Sequence, residues 1–209
     1  MQRQWRLVLL LIGAAALVCP ARAQQPPPPP APAAPAKPKP TPKPAAPKPV
    51  ATAPAAAVAG GAQPKLLGQY GAWGAYTASP GGKKICFAIA KPASAETNPP
   101  NRPRNPVYIF ISTRPADKVS NEVSIVIGYP FKPGSDAAAQ IGSTSFALYT
   151  QQDGAWIKNA AEEAHMVDAM RTAETAVIRG VSAKGTQSTD TYALKGIAQA
   201  LDRTAQECK

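Results

Sequence analysis

Fifteen of the chain's 25 prolines lie between Pro26 and Pro64, most of them in the run "QQPPPPPAPAAPAKPKPTPKPAAPKPVATAP" at 24–54. Proline fixes φ and removes the amide donor that helix and sheet both need. The stretch therefore has no route to a packed core and is expected to take polyproline II. At about 3.1 Å per residue, the tract from 26 to 64 reaches at most on the order of 120 Å. Any fold must be made by the residues C-terminal to it. The chain divides into residues 1–23, a disordered linker rich in Pro, Ala and Lys over 24–65, and one domain over 66–209.

Residues 1–23 read as a secretory signal. Arg3 and Arg6 give a basic start, residues 7–19 are an unbroken apolar run ("LVLLLIGAAALVC"), and Ala21-Arg22-Ala23 supplies the small residues of a cleavage site. Cleavage is expected between Ala23 and Gln24. The rival reading is an uncleaved inner-membrane anchor, for which thirteen apolar residues are fewer than the roughly 18 a spanning helix needs. Lipidation at Cys19 is a third option, but Val18 and Ala16 do not match a lipoprotein signal. Export places the domain in the periplasm or at the outer surface. There, the two cysteines left after cleavage, Cys86 and Cys208, read as one disulfide, the alternative being two free thiols.

The formal charge of +11 sits largely outside the domain. All twelve acids lie from Glu96 onward, and residues 66–209 hold fifteen basic residues against those twelve, leaving +3. Lys37, Lys39, Lys43 and Lys48 punctuate the linker. Such a tract either attracts anionic cell-wall polymers or lipid phosphates, or simply keeps the linker soluble. Nucleic acid is not an expected partner, since clustered arginines and an aromatic-basic strand are both missing.

Within the domain, "KKICFAIAK" sets Ile85, Phe87 and Ile89 against Cys86 and Ala88. "VYIFIST" and "NEVSIVIGYP" alternate in the same way, and period-two patterning of β-branched and aromatic residues marks strands. Weaker strands are expected at 73–78, 143–151, 154–159 and 175–183, separated by Pro/Gly-rich turns. So many short strands suggest an antiparallel sandwich or barrel. Two helices are added: 159–173, with Ala160, Ala164, Val167 and Met170 as its apolar stripe, and about 192–207, capped by Thr191. Cys86 faces away from Ile85, Phe87 and Ile89, so a terminal helix docked on that opposite face would carry Cys208 to it.

Catalytic constellations are missing. His165 is the single histidine, and Glu162-x-x-His165 has no second copy to complete a di-metal site. The residues Glu162, Glu163, His165 and Asp168 read as a solvated face. G-x-S-x-G, C-x-x-C, G-x-G-x-x-G and P-loop patterns do not occur. The chain is expected to be no enzyme and to carry no catalytic, metal or cofactor residues. The remaining rival is an envelope hydrolase using two of the twelve acids. Candidate surface-binding residues are Arg102 and Arg104 in a basic loop, with Trp73, Trp156 and Tyr149. Tryptophans so placed also serve to close a sandwich core.

The segments "YGAWGAYTA", "KKICFAI", "YIFISTRPADKVSNEVSIVIGYPFKPGSDA" and "TDTYALKGIAQALDRTAQEC" carry a resemblance to the invasion-associated locus B family of exported alphaproteobacterial proteins, over about 68–208. "YALKGIAQAL" is similar to that family's Ser-Leu-Lys-Gly-Phe ending, with Ala193 for the serine and Ile197 for the phenylalanine. Many members carry a cysteine pair between the positions of Tyr149 and Ala161, where this chain has none. The resemblance implies an all-β, immunoglobulin-like sandwich with added helices in the cell envelope, a link to host-cell invasion, and no assigned catalytic residues. The expected role is a binding or interaction module for an envelope component or protein partner.

Overall fold

In the computed structural model the structure describes residues 62–209. The signal, the Ala23/Gln24 cleavage site, Cys19 and the linker lysines lie outside the described residues. Eleven strands and two α-helices are present among the described residues. They run β1 (Lys65–Tyr70), β2 (Trp73–Ala78), β3 (Ile85–Ala90), β4 (Ser94–Asn98), β5 (Tyr108–Arg114), β6 (Val119–Val126), β7 (Ala137–Ile141), β8 (Thr144–Gln151) and β9 (Gly154–Ile157). Helix α1 (Glu163–Thr172), β10 (Thr175–Val181), β11 (Gln187–Ala193) and helix α2 (Ile197–Glu207) complete the chain. Strand β1 takes in Lys65, one residue before the expected domain boundary.

All strands pair antiparallel in one sheet of order β1-β2-β3-β5-β6-β9-β8-β7-β10-β11-β4. This long sheet folds over on itself. Trp73 and Ala75 of β2, Ile109 and Ile111 of β5, and Ile178 and Tyr192 of β10 and β11 share one buried core, although those strands lie far apart in the sheet order. The Trp73 indole N–H donates to the Ala193 carbonyl across that fold, at 2.9 Å. The fold is mainly β with two helices, as expected, and is compatible with a sandwich whose two layers are continuous.

Both helices pack on the core face. Helix α2 buries Ile197, Ala200 and Leu201 in the core, and Cys208 behind it bonds to Cys86, with Cα atoms 6.0 Å apart and 122 positions between them in sequence. The disulfide and the helix placement read from the alternation in β3 both stand.

Three expectations need correction. The terminal helix begins at Ile197, not near 192, because residues 187–193 pair along β10 as β11. The inward residues of β11 are Ser188, Asp190 and Tyr192, so its alternation is polar and gives no apolar period-two signal. Gly196 starts the helix with φ +100, where an added Cβ would lie 2.1 Å from the Tyr70 carbonyl oxygen. Second, α1 buries Met166, Val167 and Met170, while Ala160 and Ala164 are exposed. Third, Glu163 is not on the solvated face. Its Oε1 accepts the Val123 amide N–H of β6 at 2.8 Å, tying the helix start to the sheet. His165 is exposed and sits edge-on to Phe146.

Candidate functional site

The loop "PPNRPRNPV" between β4 and β5 follows a cis peptide at Asn98–Pro99. Prolines deny it a helix or strand, and a few contacts fix it instead. The Arg102 amide donates to Thr97 Oγ1 at 3.0 Å. The Asn105 amide donates to the Gly128 carbonyl at 2.8 Å. Gly128 has φ +79, and a Cβ there would lie 2.1 Å from the Asn105 carbonyl oxygen, so the loop can seat this closely only on glycine.

Between these two ties, Arg104 turns inward. Its guanidinium forks onto Asp190 of β11: Nη1 donates to Oδ2 at 2.9 Å and Nη2 to Oδ1. Nη1 also donates to the Ile127 carbonyl at 3.4 Å. The Arg104 side chain is 8% exposed and that of Asp190 0%. Burial pushes the Asp190 carboxyl above its ordinary range, and the guanidinium beside it holds that rise in check. Burial opposes the Arg104 charge, but the hydrogen bonds and negative charge of Asp190 outweigh it and leave the guanidinium protonated more firmly than usual. Tyr129 and Ser188 share a hydrogen bond of 2.6 Å beside this pair. The Tyr192 hydroxyl is buried nearby without a hydrogen-bond partner among the described residues. Its phenol is pushed well up by burial and by the Asp190 charge.

Arg104 thus nails the loop to the far layer of the sheet, and a cleft opens on each side of it. One, of about 750 Å³, is lined by Lys91, Glu96, Asn101 and Arg102 among others. The second, of about 810 Å³, lies against the β10–β11 turn and includes Tyr129, Ser182, Lys184 and Thr186. Thr97, Arg102, Arg104 and Asn105 line both. Lys91, Arg102 and Lys184 are exposed, so the walls offer three solvent-facing cations with amide and hydroxyl groups between them. Glu96 is the sole carboxylate lining the two clefts. No group of three or more His, Cys, Asp or Glu that could hold a metal occurs among the described residues.

Of the five surface candidates from the sequence, Arg102 and Arg104 come together here. Trp73 does not: it is 0% exposed in the core, which removes it as a surface contact. Trp156 stands elsewhere, on β9, half-buried, stacked on exposed Tyr149 at 5.6 Å and donating its N–H to Ser124 Oγ at 2.9 Å. Asp190, Tyr129 and Lys184 do not stand out in the sequence. Arg104 and Asp190 are 86 positions apart, and a polar residue facing the core leaves no local pattern.

A family model described as "Invasion associated locus B (IalB) protein" matches residues 73–205. A crystal structure of invasion associated protein b from Bartonella henselae is similar at 16% identity and a TM-score of 0.47, covering 67% of this chain and 95% of that one. No curated protein matches the chain. Among the described residues no helix is long and apolar enough to cross a membrane.

Proposed function

Because the chain belongs to the invasion associated locus B family, we propose that it is an exported, non-enzymatic binding module of the cell envelope whose recognition site is the pair of clefts around Arg104. The observation that carries this reading is the makeup of those clefts. Exposed Arg102, on a loop pinned by the buried Arg104–Asp190 pair, and exposed Lys184, in the β10–β11 turn, flank amide and hydroxyl groups. A concave site with a few convergent polar groups is where ligands bind, and fixed cations favour an anionic one. The ligand class is an envelope component bearing carboxylate or phosphate. A hydrolase of the paired-carboxylate type needs two acids across one cleft, whereas Glu96 is the single carboxylate lining the first cleft and the second is lined by none.

Export rests on the signal-like segment at 1–23, and Edman sequencing of the mature protein tests it, with Gln24 as the expected first residue. A part in host-cell invasion rests on family membership and is tested by the invasion efficiency of a deletion strain. The site itself is tested by capture from detergent-solubilised envelope, with lipid and glycan analysis of the eluate. Enrichment of one anionic component that survives deletion of residues 26–64 supports the reading. Its loss on that deletion would move recognition to the linker lysines.

A further inference from the structure

Strands β8 and β9 carry an aromatic pair away from the Arg104 clefts. Phe146 and Leu148 of β8, and Ala155 and Ile157 of β9, belong to the core, so Tyr149 and Trp156 point to the opposite face. Trp156 is paired with Tyr149 on one side and with Ser124 of β6 on the other, which puts the three side chains in one row. Each ring is held in place. The indole N–H donates to Ser124 Oγ at 2.9 Å. Gly154 leaves the indole room to lie over the strand, since a Cβ there would come within 2.2 Å of Cη2 of Trp156. Tyr149 stacks on the indole, with centroids 5.6 Å apart and planes 24° from parallel. The stack covers one face of the Tyr149 ring, yet the residue is still 44% exposed.

Polar groups rim the pair. Lys158 lies two residues past Trp156 and so shares its face. Its ammonium donates to both carboxylate oxygens of Asp136, at 3.1 and 3.0 Å. Strand β8 lies between β9 and β7, and Asp136 immediately precedes β7, so this ion pair crosses β8 beside Tyr149. The two side chains are 54% and 63% exposed. A carboxylate has about four acceptor sites and an ammonium three donors, so both keep capacity for a further hydrogen-bond partner. Exposed Gln151 adds an amide on the same face, opposite Gly154.

From this arrangement we infer that the Tyr149–Trp156 pair is a second binding site, separate from the Arg104 clefts, for an uncharged saccharide. A pyranose ring has a face of C–H groups that fits against an aromatic ring, and hydroxyls at its edge that donate to a carboxylate and accept from an ammonium or amide. Charge points to the same ligand. Lys158 and Asp136 cancel, so the site has no net charge to attract an anion, whereas the Arg104 clefts present three exposed cations. A protein partner would want a broader apolar centre, but Ser145 and Ala147 continue this face along β8. Rings already fixed by Gly154 and Ser124 lose little freedom on binding.

The test is saturation-transfer NMR and calorimetric titration of the full chain with three uncharged probes: N-acetylated chitohexaose, cellohexaose and maltohexaose. Having no anionic group, they leave the reading of the Arg104 clefts untouched, whichever way the result falls. The inference predicts saturable binding of at least one probe, with transfer strongest to its ring C–H protons. Tyr149→Ala should weaken that binding about tenfold, the size of one lost ring contact, and Tyr149→Phe, which keeps the ring, should retain it. Failure of the parent to bind any of the three, or equal binding by Tyr149→Ala, would overturn the inference. So would concentration-dependent self-association that Tyr149→Ala abolishes, since the pair would then be a contact between copies of the chain.

Discussion

Replacing Arg104 by methionine is the sharpest perturbation of the site. The change keeps a side chain of similar reach but leaves Asp190, which is 0% exposed, without its cation. Removing one partner of a buried ion pair costs about 3–5 kcal/mol, because an uncompensated charge stays in the interior. The Ile127 carbonyl loses a donor as well. For a domain of this size, each kcal/mol moves Tm by about 2–4 °C, so the fall is roughly 6–20 °C. Charge burial, not lost packing, is the stated cause. The double variant Arg104→Met/Asp190→Leu should therefore recover most of the loss, since a buried pair replaced by apolar side chains is often neutral or better. Thermal and urea unfolding of the two single variants and the double variant measure the cycle. A loss below about 1 kcal/mol for Arg104→Met, or a double variant no more stable than that single, would refute the reasoning.

Removing the disulfide with Cys86→Ser/Cys208→Ser opens a loop of 122 positions and should cost about 5 kcal/mol by chain entropy; urea titration of oxidised protein and variant reads it directly. Glu163 gives a pH signature. Burial raises its carboxyl above 4.5, against the opposing pull of the Val123 amide. A folded-state value above the unfolded one means that the native state binds more protons, so the stability this group contributes is whole below the unfolded value and declines as pH rises through the folded one. Glu163→Gln keeps an oxygen for the Val123 amide and should match the parent near pH 4, then become the more stable of the two towards pH 7. Tm measured against pH for both chains checks the sign.

Much of the sheet is legible in the sequence because β3, β5 and β6 are rich in β-branched and aromatic residues with opposite faces. The alternation signals one buried face, whereas all six residues of β3 are buried, on both faces of the sheet. The strands that escape notice have physical reasons for it. Strand β4, "SAETN", is an edge strand that buries little, and β7, "AAAQI", puts alanines where larger side chains would signal a strand. Strand β11 faces inward with Ser188, Asp190 and Tyr192. The helix over Glu163–Thr172 is legible from its formers, but its rotation is set by Met166 against the core and by the Glu163 tie to β6, a tertiary contact with no local signal. The site is half legible for the same reason. A basic Pro-rich loop is visible as a string of letters; the aspartate that fixes it, 86 positions on, is not.

The central claim is that the clefts beside Arg104 bind an anionic envelope component through Arg102 and Lys184. Calorimetric titration of the full chain with lipopolysaccharide, and in a second arm with soluble anionic cell-wall fragments, tests it most directly when repeated with Arg102→Glu/Lys184→Glu. The account predicts saturable binding of one of these by the parent, weakened at least about tenfold by the double charge reversal, each lost contact being worth about 1 kcal/mol or more. Equal affinity in parent and variant, or no binding in either arm, would contradict it.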